Sequence, residues 1–175
     1  ERPLILTEGS IIERLRHSFD VGLDPHIENT ALVFDDRGRK VLESVYDEYV
    51  VVGRDAGMPM IMLTPTWRAN PERLSRAGYS DIKMVHNECF DLVSSIREGY
   101  GEYSSSIPIG GVMGCRGDAY RPEEALGIEE AARFHSPQVE ALSEAGVDFL
   151  LASTLPARTE ALGIARAMAG SGLAY

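Results

Sequence analysis

The chain contains few lysines and few cysteines. Its two lysines, Lys40 and Lys83, both fall in stretches with helical periodicity. Schiff-base aldolases and pyridoxal enzymes need a lysine that projects into the site, so both chemistries are disfavoured for this stretch of chain. The two cysteines, Cys89 and Cys115, fall in a predicted helix and a predicted loop. We expect them to be free thiols, because the sequence offers no secretory context.

Several other common signatures are missing. The sequence has no Ser, His and Asp arrangement of a hydrolase, no phosphate-binding P-loop and no Cys-x-x-Cys pair. A formal charge of −10 disfavours a nucleic-acid partner. No apolar run approaches the length of a membrane span, and the N-terminus lacks the order of a signal peptide. We therefore expect a cytoplasmic protein with no membrane partner.

Residues 145–161 have the pattern around which the rest of the sequence is organised, AGVDFLLASTLPARTEA. Residues 147–152 are almost continuously apolar, which is typical of a parallel strand covered on both faces, and Ser153 and Thr154 are the first polar side chains after it. Pro156 is expected to open the next helix, with Glu160 close to its positively charged start. Chemistry is therefore expected in the loop between strand and helix.

The same pattern occurs at residues 56–66, AGMPMIMLTPT, and begins again at residues 171–175, SGLAY. Repeated units of helix, glycine, strand and polar loop build an α/β barrel or a doubly wound sheet. In both folds ligands bind at the carboxyl ends of the strands.

Hydrophobic periodicity predicts four strands and four main helices. The predicted strands are residues 4–7, 60–63, 108–113 and 147–152. The predicted helices are residues 11–19, a helix capped by Asp36 that ends near residue 55, residues 81–97, and residues 129–143, which Pro137 is expected to kink or restart. Residues 26–34 are expected to form an irregular excursion with room for a short helix, and residues 100–106 a linker.

Four strand units and the start of a fifth are too few for a closed barrel, which usually needs about 250 residues. We therefore expect residues 1–175 to be one domain without an internal boundary, forming the first part of a (β/α)8 TIM-type barrel. An obligate half-barrel dimer is the alternative, and a homo-oligomer remains open.

With these loops in place, the sequence resembles the homocysteine S-methyltransferase family, zinc-dependent barrels that move a methyl group onto a thiol. Residues 6–10, LTEGS, are similar to the family's opening strand and Asp-Gly-Gly loop, with Glu8 in the place of the aspartate. Residues 56–71 resemble its second unit, in which a threonine-rich loop follows an Ala-Gly strand.

The third and fourth units also resemble the family. Residues 110–120 are similar to the third unit, with Cys115 where a proline is expected. Residues 134–137 and 145–161 resemble the fourth unit, whose loop in many members is Glu-Thr-Ile-Pro. Ser153 stands in the place of that glutamate, which in the family helps to hold the amino group of homocysteine.

The resemblance implies an S-methyltransferase of methionine biosynthesis that converts homocysteine to methionine with a zinc-activated thiolate. Its partners would be a small-molecule thiol and a methyl donor, which in the family is a sulfonium, a betaine or a folate. Zinc is expected in the full-length protein, but the family's cysteine ligands would lie beyond Tyr175. No catalytic residue and no metal ligand is therefore assigned within this chain, which is expected to be inactive by itself.

The predicted substrate-binding residues share a position at or just after the end of a strand: Glu8, Gly9, Thr64, Thr66, Asp118, Ser153 and Thr154. Glu8 would bind a substrate amine or a cationic donor, and Gly9 would let that ligand approach the backbone. The alternative for Glu8 is a helix-start carboxylate that faces water. Thr64 and Thr66 would hydrogen-bond a substrate carboxylate or, alternatively, cap a turn around Pro65.

Three further residues have two interpretations each. Cys115 and Asp118 flank a glycine-containing loop that would form either an anion-binding nest or a plain turn. Trp67 would either wall the pocket or pack on its neighbours. His135 is more often a buried structural histidine at such a position than a ligand.

Two rival functions differ from methyl transfer. One is a non-catalytic or repurposed barrel that binds an amino-acid-like ligand, which Ser153 and Cys115 favour. The other is a different barrel enzyme, such as a metal-dependent lyase, that shares only the strand and helix pattern. A lone cysteine after the sixth strand and a Gly-Gly-Cys-Cys run near the end of the full protein would favour the methyltransferase.

Overall fold

The computed structural model describes residues 4–175 and contains a four-stranded parallel sheet. Its strands are β1 (Leu6–Thr7), β2 (Met60–Leu63), β3 (Ile109–Met113) and β4 (Phe149–Ala152), and they lie side by side in chain order. Leu6 pairs with Met60 and Gly110 with Phe149. Parallel strands in this order, each followed by a helix, form part of a TIM-type barrel, which confirms the predicted fold class.

Six α-helices connect and cover the strands. They are α1 (Ile11–Ser18), α2 (Asp36–Asp55), α3 (Pro71–Arg76), α4 (Ile82–Glu98), α5 (Ile128–Ala145) and α6 (Arg158–Ala169). Three 3₁₀ helices, Asn29–Phe34, Gly101–Ser106 and Pro122–Glu124, lie in the longer connections. No helix among residues 4–175 is both long enough and apolar enough to cross a bilayer.

Four helices begin at a side chain that accepts a backbone N–H of the first turn. The capping residues are Ser10, Asp35, Asn70 and Asp81. The prediction that Asp36 caps α2 is wrong by one residue, because Asp36 is already helical. The short helix α3 was not predicted. Its sequence signal is Asn70, a favourable capping residue, followed by Pro71 at the first helical position.

Two predictions based on proline differ from the structure. Pro156 does not open α6, which begins at Arg158 after a polar loop. Pro137 lies inside α5, which continues without a break from Ile128 to Ala145. Gly146 ends α5 with φ of 99°, a left-handed conformation that glycine adopts without a steric penalty.

The core has two parts. The larger packs α1, α2 and α4 against β2, and the buried Cys89 belongs to it, as predicted. The smaller packs α5 and α6 against β3 and β4. Both cysteines are free thiols in the structure, and both lysines lie on helices.

The sheet does not close on itself within residues 4–175, because β1 and β4 are not paired with each other. Next to β4, the Leu150 N–H donates to the Ala174 carbonyl oxygen at 2.9 Å, and Phe149 and Ala174 form a parallel bridge. This bridge is the predicted start of a fifth strand.

Candidate functional site

The loops that follow all four strands meet around one cleft of about 440 Å³. Ligands of α/β folds bind at this edge of the sheet, because the loops between strands and helices converge there. The wall includes residues from each loop: Glu8, Gly9, Thr64, Trp67, Arg68, Val112, Tyr120, Ser153 and Thr154.

Five of the seven predicted substrate-binding residues line this cleft and two do not. Glu8, Gly9, Thr64, Ser153 and Thr154 lie in its wall. Thr66 is fully buried behind the wall, and Asp118 lines a separate depression next to the cleft. Of the seven residues, Thr66 and Asp118 therefore lie outside the wall of this cleft, and substrate binding by the seven stays a prediction.

Glu8 links the first strand unit to the second. One of its carboxylate oxygens accepts the Leu63 N–H at 3.1 Å, and the Tyr46 hydroxyl donates to the Leu63 carbonyl oxygen at 2.7 Å. Desolvation in the cleft raises the pKa of Glu8 to about 8, and the Leu63 hydrogen bond offsets only part of that rise. The carboxyl group faces the cleft and does not cap α1, whose cap is Ser10.

The two threonines hold the loop after β2 against β3. The Thr66 hydroxyl donates to the Val112 carbonyl oxygen at 2.7 Å, and the two threonine hydroxyl oxygens lie 2.7 Å apart. Since the hydrogen of Thr66 is used on Val112, the hydrogen of the Thr64 hydroxyl must point to Thr66. Both hydroxyl hydrogens are therefore used within the protein, as in the turn-capping interpretation.

The loop after β3 is a turn closed by the protein's own carboxylates. The Arg116 N–H donates to Glu160 at 2.7 Å, and the Asp118 N–H donates to Glu124 at 3.1 Å. Asp118 in turn accepts the Tyr120 N–H at 2.9 Å. These N–H groups are not available to an external anion, so the interpretation as a plain turn fits the structure and the anion nest does not.

Backbone strain is concentrated in the wall of the cleft. Among residues 4–175, the non-glycine residues with positive φ are Glu28, at 52°, and Thr154, at 56°, and both line the cleft. A branched side chain such as that of Thr154 rarely adopts this conformation, and such outliers cluster at functional sites. Next to Thr154, the Ser153 carbonyl oxygen accepts the Trp67 indole N–H at 3.2 Å.

Sequence reasoning missed most of the charged residues of the wall. Arg16 pairs with Glu13 at 2.8 Å and with Glu28 at 3.0 Å. Arg68 stacks on Trp67, with its guanidinium carbon 4.5 Å from a ring centroid. The signal for Arg68 was its place in the loop directly after the only tryptophan of the chain.

A buried polar layer supports the cleft from behind. His135 Nε2 lies 3.0 Å from a Glu160 oxygen, and both side chains are fully buried between α5 and α6. Burial disfavours ionisation of Glu160, but hydrogen bonds from His135 and Arg116 together lower its pKa. The Gln138 amide donates to the Thr66 carbonyl oxygen at 2.9 Å. His135 thus fits the structural interpretation.

The described residues do not fit a zinc ion. Within residues 4–175, no group of three or more His, Cys, Asp and Glu side chains is placed to hold a metal. Cys115 is buried, its thiol lies 3.5 Å from the Gly117 carbonyl oxygen, and burial raises the pKa of that thiol. A protonated thiol is a poor zinc ligand, because zinc binds the thiolate.

Two bacterial proteins have related sequences. The homocysteine S-methyltransferase YbgG of Bacillus subtilis is 24% identical over 178 residues, covering 94% of this chain and 54% of that protein. A homocysteine S-methyltransferase of Escherichia coli is 28% identical over 105 residues, covering 54% of this chain and 34% of that protein. The chain thus spans about half the length or less of these relatives.

Solved structures of the homocysteine methyltransferase MmuM from Escherichia coli share the fold. The metallated form superposes with a TM-score of 0.80 at 22% identity, covering 99% of this chain and 61% of that chain. The apo form gives a TM-score of 0.66 at 19% identity and covers 58% of that chain. A family model described as homocysteine S-methyltransferase matches residues 5–173. Because this match extends over nearly the whole chain, the chain belongs to the homocysteine S-methyltransferase family.

Proposed function

We propose that the protein transfers a methyl group to the thiol of homocysteine and so forms methionine. The observation that carries this proposal is the cleft, in which Glu8 and Ser153 come from the same loops that resemble the family. The names of the relatives and the family match support the same reaction class.

Glu8 is proposed to bind the ammonium group of the amino acid. Its carboxyl group faces the cleft and has no ion-pair partner among residues 4–175. An ammonium group favours the ionised carboxylate, so binding is expected to lower the pKa of Glu8 and release a proton at neutral pH. Ser153 would add a neutral hydrogen bond to the same group, weaker than the bond to a carboxylate.

Gly9 and Thr154 are proposed to shape the wall next to Glu8. A side chain at Gly9 would meet the Tyr49 hydroxyl at 2.9 Å, so glycine at this position lets the first loop pack closely against α2. Thr64 lines the cleft, but its hydroxyl hydrogen is already bonded to Thr66. Thr64 would therefore touch the ligand through its methyl group and hold the loop after β2 in place. Thr66 and Asp118 are proposed to act only through the loops that they hold.

The reaction needs a thiolate, since a free thiol with a pKa of about 8.5 is mostly protonated at neutral pH. We propose zinc as the group that favours the thiolate, because the family resemblance implies it and because soft thiolate sites select zinc. Its ligands would come from outside residues 4–175, and the residues of this chain would bind the amino acid without contacting the metal. A cytoplasmic location, a homo-oligomeric state and activity only in the whole protein stay predictions.

The test is methionine formation from homocysteine by the purified protein, supplied in turn with a sulfonium, a betaine and a folate donor. Glu8→Gln should lower kcat/KM by about tenfold or more, the typical effect of losing a charge-assisted hydrogen bond. Glu48→Gln is the matched control, because Glu48 is exposed and pairs with Arg14 away from the cleft.

Two results would contradict the proposal. Homocysteine binding without methionine formation from any donor would favour the ligand-binding alternative. Neither binding nor turnover would overturn both functions.

A further inference from the structure

Arg68 lines both the cleft and the depression next to it, and no carboxylate in the described part of the chain pairs with its positive charge. Within residues 4–175 it forms no ion pair with a side chain at 4.0 Å or less. Its one hydrogen bond, from Nη1 to the Gly117 carbonyl oxygen, is long at 3.4 Å, and its buried Nε has no partner. A guanidinium group offers five N–H donors, so most of them remain available.

Two acidic residues that line the neighbouring depression together with Arg68, Glu72 and Glu124, are bound to other groups. Glu72 pairs with Arg76 and, at 2.8 Å, with Arg116. Glu124 accepts the Asp118 N–H at 3.1 Å and pairs with Arg121 at 3.3 Å. Neither of these carboxylates is therefore paired with Arg68, in a chain whose formal net charge is −10.

Stacking on Trp67 fixes the orientation of this guanidinium. Its carbon lies 4.5 Å from a ring centroid of Trp67, whose indole N–H is held by the Ser153 carbonyl oxygen. A guanidinium fixed in one plane loses little rotamer entropy when it binds a planar group with two hydrogen bonds. A carboxylate is the group that matches this geometry.

Glu8 presents a carboxyl group in the same cleft, which an ammonium group would ionise. Arg68 and Glu8 both line the cleft, and they form no ion pair with each other at 4.0 Å or less. A carboxyl group that ionises when an ammonium group binds, together with an unpaired guanidinium, suits a zwitterion.

We propose that Arg68 binds the carboxylate of an α-amino acid whose ammonium group binds Glu8. The threonines of the same loop cannot serve as donors, because both of their hydroxyl hydrogens are used within the protein. The inference rests on the proposed function in taking homocysteine as the ligand. It adds Arg68 as the residue that selects a thiol carrying a carboxylate.

The test is calorimetric titration of the purified protein with three probes. They are L-homocysteine, 3-aminopropanethiol, which lacks the carboxylate, and 4-mercaptobutyrate, which lacks the amine. Arg68→Gln should weaken binding of homocysteine and 4-mercaptobutyrate by about tenfold or more and leave 3-aminopropanethiol almost unchanged. Arg68→Lys should recover part of the loss, because it keeps the charge without the bidentate geometry.

Two controls separate a lost contact from a disturbed loop. Arg54→Gln removes another guanidinium that stacks on an aromatic ring, that of Tyr100, outside the cleft and should change none of the three affinities. Melting temperatures of all variants, with the fluorescence of Trp67 as a local probe, report whether the loop stays folded.

The possible results separate the carboxylate-binding role of Arg68 from the proposed function. Equal homocysteine affinity in the wild type and Arg68→Gln, or an equal loss for all three probes, would overturn the role of Arg68. Binding of 4-mercaptobutyrate through Arg68 without any binding of homocysteine would retain the carboxylate site and overturn the proposed function. No binding of any probe by the wild type would overturn both.

Discussion

The pKa of the Glu8 carboxyl group is set by the fold and not by its neighbours in sequence. Next to it in sequence are Thr7 and Gly9, and nothing in that stretch indicates an unusual pKa. In the folded chain the carboxyl group faces the cleft and accepts one N–H, from Leu63. The cost of burying a charge then favours the protonated form up to a pH of about 8.

The stability of the protein should fall as the pH rises because of Glu8. The folded state keeps a proton on Glu8 up to about pH 8, whereas the unfolded state loses it near 4.5, so the unfolded state binds fewer protons between these values. Glu8→Gln stays neutral, and its melting temperature should exceed that of the wild type increasingly from pH 4.5 to pH 8. Calorimetric scans of both proteins across this range, with Glu48→Gln as the surface control, measure the effect. A constant difference between wild type and variant would show that Glu8 ionises normally.

At the scale of the elements, α5 and α6 do more than cover the sheet. From α5, His135 and Gln138 reach toward the cleft, where Gln138 holds the loop after β2. His135 contacts Glu160 in the first turn of α6, and Glu160 holds the loop after β3. The two helices must therefore pack closely for the loops to keep their positions.

Gly163 is the point of closest approach between these helices. A Cβ there would lie 2.4 Å from the Ala131 Cβ and 2.5 Å from the Ile128 carbonyl oxygen. Gly163→Ala should destabilise the protein by about 1–3 kcal/mol through overpacking, although helix propensity alone would stabilise it by about 1 kcal/mol. Urea denaturation measures the change. Gly170→Ala, whose nearest neighbour would be Ala167 O at 3.5 Å, should be neutral or stabilising, and equal effects of the two variants would contradict this account.

Acidification should weaken the contact between α5 and α6. The pKa of Glu160 is lowered in the fold, so its contribution to stability is present above the unfolded value of 4.5 and is lost as the pH falls through the folded pKa. Glu160→Gln should therefore be less stable than the wild type at neutral pH, with a difference that shrinks in acid. Hydrogen exchange of the Arg116 amide, which Glu160 holds, gives a local readout. If the stability difference between wild type and Glu160→Gln did not change with pH, the effect of the substitution would come from packing alone.

At the scale of the whole molecule, residues 4–175 form an open sheet with a cleft at one edge. The sheet leaves β1 unpaired on one side, and apolar residues such as Leu4, Ile5, Leu151 and Tyr175 are exposed. The solved relatives are longer, since this chain covers 61% of the metallated MmuM chain. A cleft that is built from the first four loops of a barrel is expected to share its ligand with loops from elsewhere in the barrel.

The cysteines of this chain should not affect the zinc content of the protein. Cys89 is buried in the core, and Cys115 lies in a closed turn with a protonated thiol. Cys89→Ala and Cys115→Ala should therefore leave the zinc content, measured by elemental analysis of the purified protein, unchanged. Loss of zinc in the Cys115 variant, with its melting temperature retained, would place a metal ligand in the loop after β3.

Most of the fold could be predicted from local patterns. The strand Met60–Leu63 was predicted to the residue, and the stripe that includes Cys89 indicated the buried face of α4. These predictions succeed because burial of a strand or a helix face imposes a period on the sequence itself. Helix starts were less certain. Asp35 and Asp36 are neighbouring candidates for one cap, and Pro156 lies two residues before the first helical residue, Arg158.

The sequence by itself determined the order of the strand units, the family resemblance and the strand ends at which Glu8, Thr64 and Ser153 lie. Only the tertiary structure decided that Asp118 turns away from the cleft, that the threonine hydroxyls are used internally and that Arg68 has no carboxylate partner. The reason is physical. Periodicity records which face of an element is buried, whereas hydrogen bonds and charge balance depend on residues that are far apart in sequence and meet only in the folded chain.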